Sequence, residues 1–99
     1  MNIQIHSVRF DADEKLLKFI NNKVKKLLQY NDDIIGAEVF LRLEKVQDAE
    51  NKIAEIKLDI PRQPLFARKQ SKTFEEATDN AVDALKKQIT KTKEKRRGV

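Results

Sequence analysis

Twelve residues near the end of the chain, Lys86 to Arg97, hold the pattern most capable of chemistry. Lys86, Lys87, Lys91, Lys93, Lys95, Arg96 and Arg97 face a single acid, Glu94, a surplus of six positive charges. The 99 residues carry 21 basic and 16 acidic side chains, a net +5, so the remainder of the chain sums to −1. The chemistry such a run supports is neutralisation of phosphate, in which each cation replaces a condensed counterion. Taken alone, the same run is equally the solvated end of a helix whose charge serves solubility.

Residues for covalent or acid–base chemistry are scarce. His6 is the single histidine and has no serine or cysteine nucleophile motif around it, so it reads as an ordinary strand residue. Asp32-Asp33 falls in a turn and Glu75-Glu76 in a first helical turn, where local capping and the helix dipole account for both pairs. Gly36 and Gly98 are the only glycines, too few for a phosphate-cradling loop. Phe40 and Phe66 have faces on which bases could stack, but cross-strand packing is the simpler reading. The expectation is a protein that is not an enzyme, with no catalytic residue, metal, cofactor or small-molecule substrate. Cysteine is absent, which removes disulfides and thiolate sites and suits a reducing cytoplasm. No apolar run approaches the roughly 20 residues of a membrane span, and the start of the chain lacks a basic segment followed by an apolar core. A cytoplasmic protein with no membrane partner is expected.

The elements that must carry the cations follow from periodicity. Ile3 and Ile5 alternate with polar neighbours in a short first strand, and the apolar Val8 and Phe10 on the other parity call for a bulge or bend near Ser7. Asp11 and Asp13 offer caps for a first helix, Asp11 with Glu14 in the spacing of a capping box. Leu16, Leu17, Ile20, Val24, Leu27 and Leu28 then form one apolar stripe. Lys15, Lys18, Asn22, Lys25, Lys26 and Gln29 take the opposite face, a second basic surface. After the turn at Tyr30 to Asp33, Ala37, Val39, Leu41 and Leu43 alternate with Glu38, Phe40, Arg42 and Glu44. A polar hairpin at Gln47 to Asn51 leads to Ala54, Ile56, Leu58 and Ile60 on the next strand. Pro61 and Pro64 bracket another turn before a short edge strand, Leu65 to Gln70, that carries Arg68 and Lys69. Thr73 and Glu76 form a second capping box, and Phe74, Ala77, Ala81, Val82, Leu85 and Ile89 trace the buried face of a long final helix. Its acidic start and basic end agree with the helix dipole, which reaches only about one turn and leaves most of the seven cations unexplained.

The order β-α-β-β-β-α specifies an α+β fold, and the 99 residues make one domain. The helical crossover makes the first two strands parallel neighbours and hairpins add the others, giving a four-stranded mixed sheet. Each strand has one apolar face, so both helices cover the same side. The opposite sheet face stays wet.

Leu16-Leu17-Lys18-Phe19, Lys26-Leu27, Tyr30, and above all Ala77-Thr78-Asp79 through Leu85-Lys86-Lys87-Gln88-Ile89-Thr90-Lys91-Thr92-Lys93-Glu94-Lys95 carry a resemblance. The chain resembles the family of ribosome hibernation promoting factors and ribosome-associated inhibitors, once called the sigma-54 modulation family. The resemblance spans essentially all 99 residues. It departs at Thr73 to Thr78, where the family has an aspartate, a bulky apolar residue, an aromatic and two alanines before its aspartate.

The resemblance implies a fold similar to double-stranded RNA-binding domains and a site in the small ribosomal subunit between head and body, in the path of messenger and transfer RNA. Its implied partners are the small subunit and its ribosomal RNA. Translation would be inhibited by exclusion, in stationary phase and stress. With the chain ending at Val99, the resemblance is to the short type, which in relatives works with a separate ribosome modulation factor. The expected RNA-binding residues are Lys86, Lys87, Lys91, Lys93, Lys95, Arg96 and Arg97, with Lys18, Lys25, Lys26, Arg68 and Lys69. Two other functions fit the residues: a general module for structured RNA, and a protein-interaction regulator of the sigma-factor-modulating kind using the wet sheet face.

Overall fold

The structure, a computed structural model, describes residues 2–44 and 50–97, with side chains as far as Lys91. Strand β1 spans Asn2–Ser7, helix α1 Glu14–Lys25, a 3-10 turn Lys26–Gln29, β2 Gly36–Leu43, β3 Lys52–Asp59, β4 Leu65–Ser71 and helix α2 Phe74–Arg97. The sheet order is β1-β2-β3-β4. β1 runs parallel to β2, and the β2–β3 and β3–β4 pairs are antiparallel, the mixed sheet expected from one helical crossover and two tight connections.

One face of the sheet carries the core. Val39, Leu41, Ala54, Ile56 and Leu58 meet Ile20, Val24 and Leu27 from α1 and the turn after it, and Ala77, Ala81, Leu85 and Ile89 from α2. Both helices therefore cover the same side. The apolar stripe of α1 is as expected in its centre, while Leu16 and Leu28 pack at its margins and Phe19 joins them on the side toward α2.

Three local features differ from expectation. The bend expected near Ser7 falls just past it and centres on Arg9: β1 is regular through Ser7, Val8 still donates its N–H to the Leu41 carbonyl at 2.9 Å, and Arg9 then adopts φ 67°. That left-handed backbone costs a non-glycine residue about 1 kcal/mol. It turns Phe10 onto Phe74, with ring centroids 4.9 Å apart, a stack of comparable worth. Of the two caps expected for α1, Asp13 is the one used, its Oδ1 accepting the Leu16 N–H at 2.8 Å, and no helix starts from the box read at Asp11. Leu43 has core parity but is 47% exposed at its strand end, whereas Ile53, on the outward parity between Arg42 and Gln70, is 2% exposed. Of the hairpin read at Gln47 to Asn51, residues 47–49 lie outside the described residues; the Glu44 N–H bonded to the Asn51 carbonyl at 2.9 Å closes its base.

Chain direction decides what the helices present. β1, β2 and β4 run the same way, because β2 is parallel to β1 and β4 is two antiparallel steps further on. α1 returns from β1 and α2 returns from β4, so the two helices run in the same direction. Their carboxy-terminal ends lie at the same end of the sheet.

Candidate nucleic-acid interface

The common direction of the helices sorts their charges. At the amino-terminal end, Asp11, Asp13 and Glu75 surround the depression beside Phe10 and Phe19, where carboxylates suit the positive ends of both helix dipoles. At the other end stand Lys23, Lys25 and Lys26 from α1 and its 3-10 turn, and Lys86, Lys87 and Lys91 from α2. Two runs about 60 residues apart in sequence become one basic end of the helical layer. Thr73 starts α2 as expected, its hydroxyl accepting the Glu76 N–H at 3.1 Å.

The helices face each other along a regular line of contacts. Lys23 Nζ lies 3.0 Å from Asp79 Oδ1, and the same lysine sits 5.5 Å from the Phe19 ring centroid. Seven residues further along both segments, the Lys86 ammonium lies 5.0 Å from the centroid of the Tyr30 ring. Between these contacts a cleft of about 280 Å³ opens, floored by Leu27 and Val82 and edged by Lys26, Tyr30, Asp83 and Lys86. The adjacent Tyr30 side chain raises the Lys86 pKa above the ordinary lysine value, with a smaller push from Asp83. Lys86 stays fully charged through the neutral range.

The expected RNA-binding residues fall into groups. Lys26 and Lys86 are brought together at the cleft. Lys87 is exposed and pairs with Asp83 one turn back at 3.4 Å; Lys91 is exposed beyond it. Lys18 and Lys25 are exposed on α1 but lie roughly 100° around the axis from Lys26, on the shoulder away from the cleft. Arg68 stands in register with Glu55 on the open sheet face, and Lys69, one residue on, has the opposite parity at the edge of the helical side. These two residues do not extend the basic end of the helices. The side chains of Lys93, Lys95, Arg96 and Arg97 lie outside the described residues, while the helical backbone runs through Arg97.

Sequence reading missed Lys23 and Tyr30 as parts of this site. Lys23 lies about 20° from Leu16 on a helical wheel, at the border of the stripe, and its role depends on Asp79, 56 positions away. Tyr30 is legible as a turn residue and nothing in its spacing announces Lys86.

The uncovered sheet face has a different character. His6 stacks on Phe40 at 4.9 Å and its Nε2 lies 3.3 Å from Glu38; Arg42 pairs with Glu55 and sits 5.7 Å from the Phe40 centroid. Phe40 is thus used in cross-strand packing, as expected. Arg42, Lys57 and Arg68 are matched on this face by Glu38, Glu55 and Asp59, so it is balanced while the helical end is basic. Among the described residues no group of three or more His, Asp or Glu could hold a metal ion, and no helix is long and apolar enough to cross a membrane.

A family model described as sigma 54 modulation protein / S30EA ribosomal protein matches residues 3–97. A ribosome hibernation promoting factor of Salmonella typhimurium is 30% identical over 95 residues, covering 96% of this chain and 94% of that protein. Among solved structures, a ribosomal subunit interface protein from Coxiella burnetii superposes with a TM-score of 0.83 at 20% identity, over 94% of this chain and 98% of the other. The amino-terminal domain of Thermus thermophilus Protein Y gives a TM-score of 0.79 at 25% identity, over 93% and 99% of the two chains.

Proposed function

The chain belongs to the sigma 54 modulation protein / S30EA ribosomal protein family, and from that membership we propose that it is a hibernation factor that binds the small ribosomal subunit and occupies the messenger and transfer RNA channel. It does so in the cytoplasm, as a single binding domain, and inhibits translation by exclusion without any reaction.

The observation that carries this reading is the meeting of two basic helix ends on one side of a domain whose other face is balanced in charge. Structured RNA presents phosphates and a deep, narrow major groove, so a rigid basic edge reads it by shape and backbone charge and not by base sequence. At 1.5 Å per residue the 24 residues of α2 extend roughly 36 Å. That length lets one helix cross from the globular body to a second RNA segment. The charge-neutral sheet face offers no such attraction, so the RNA reading rests on the helical end alone.

Competition tests the proposal. Small subunits preloaded with messenger RNA and initiator transfer RNA should refuse the protein, and vacant subunits should accept it. Equal binding to loaded and vacant subunits would overturn the assignment to the channel.

A further inference from the structure

Most of the cations at the cleft are not equivalent. Asp79 and Asp83 put two carboxylates beside the place where an anion would have to enter, and each is held by a lysine of its own, Lys23 at 3.0 Å and Lys87 at 3.4 Å. These two lysines offset the fold's own acids. Lys26 and Lys86 line the same cleft and have no carboxylate within ion-pair distance among the described residues. They are the cations left over for a ligand.

Tyr30 decides where one of them points. A lysine side chain has a flexible four-carbon stem and loses considerable rotamer freedom when its ammonium is fixed. Here the Tyr30 ring lies against that ammonium, its centroid 5.0 Å away, so the rotamer is favoured before any ligand arrives. The ring is itself fixed, because Tyr30 packs against the core and its N–H is tied to the Leu27 carbonyl at 3.0 Å. The cleft has room for a phosphate and several waters, since a water takes about 30 Å³ of liquid volume and the cleft is about 280 Å³.

Resting on the RNA-binding reading above, we propose that Lys26 and Lys86 close on one backbone phosphate of the bound RNA, and that Tyr30 is the positioning residue that presets Lys86 for it. Asp79 and Asp83, kept neutralised by Lys23 and Lys87, form the rear of this clamp and favour an extended phosphodiester over a compact, more highly charged free phosphate.

The test compares the full chain with Tyr30→Leu, Tyr30→Phe, Lys86→Ala and the double variant Tyr30→Leu/Lys86→Ala, each bound to purified small ribosomal subunits over a range of salt. Lys86→Ala should weaken binding about tenfold and make the dependence of log affinity on log salt shallower by about one ion. Tyr30→Leu should reproduce most of that loss, Tyr30→Phe part of it, and Tyr30→Leu should add little once Lys86 is gone. A purely structural tyrosine would give independent, additive losses and an unchanged salt slope, which would overturn the inference. If Tyr30→Leu does not fold, Tyr30→Phe against Lys86→Ala decides by the same criterion. Failure of the unsubstituted chain to bind subunits would instead overturn the reading of the function.

Discussion

Lys23 on α1 holds Asp79 on α2 at 3.0 Å, and this pair ties together the two helices whose basic ends form the interface. Both side chains are partly exposed, so the pair adds no more than about 1 kcal/mol to stability. Its electrostatic position matters more. Asp79→Asn removes a negative charge from the cleft and releases Lys23, so affinity for small subunits should rise several-fold while the melting temperature moves by only a few degrees. Weaker binding by a folded Asp79→Asn would show that the pair is needed as a scaffold for the interface.

Thr78 is fully buried, and its hydroxyl has no hydrogen-bond partner among the described residues. An unsatisfied hydroxyl in an apolar setting costs on the order of 1 to 3 kcal/mol, and valine has nearly the same shape and a similar helix propensity. Thr78→Val should therefore stabilise the protein by about 1 kcal/mol, which corresponds to roughly 4 to 8 °C in a domain of this size. Thermal unfolding checks this directly. A lower melting temperature would mean that the hydroxyl is satisfied after all.

Gly36 begins β2 against Asn2, and a Cβ at this position would lie 2.8 Å from the Asn2 carbonyl oxygen. Backbone cannot retreat there without breaking the start of the parallel ladder. Gly36→Ala should destabilise the fold by roughly 2 kcal/mol, the cost typical of overpacking. Chemical denaturation should show the loss as a lower midpoint with an unchanged slope, and wild-type stability would refute the close approach.

Ending the chain after Thr90 separates folding from binding. Among the described residues Ile89 is the last buried side chain of α2, 1% exposed, and Lys91 beyond it is exposed. The cut removes little apolar burial and should cost at most about 1 kcal/mol, from helix-end and dipole effects. It also deletes Lys91, Lys93, Lys95, Arg96 and Arg97. The shortened protein should melt cooperatively near the full-length temperature and fail to silence a cell-free translation reaction. Full inhibition by the shortened chain would remove these cations from the site, and failure to fold would refute the core assignment.

The sheet was legible because its signals are local: period-two alternation in β2 and β3, the Thr73 capping box, and a helical crossover that makes β1 and β2 parallel. The position of the bend was not, since Arg9 takes a left-handed backbone that no glycine marks. Nor was the exchange of roles by Leu43 and Ile53, because parity assigns a face but not how far the helices reach along it. The cations were legible one by one. Their grouping was not, because it follows from the shared direction of α1 and α2, and the pairs Lys23 with Asp79 and Tyr30 with Lys86 join residues 56 positions apart. Arg68 and Lys69 show the converse: adjacent in sequence, they are sent to opposite sides by the strand that carries them.

The most direct test of an electrostatic ribosome-binding function is cosedimentation of the full chain with purified small ribosomal subunits as monovalent salt is raised. If about six cations each neutralise one phosphate, affinity should be high at low salt and fall by two or more orders of magnitude between about 50 and 200 mM. Binding that ignores salt, or no binding even at the lowest salt, would contradict the account.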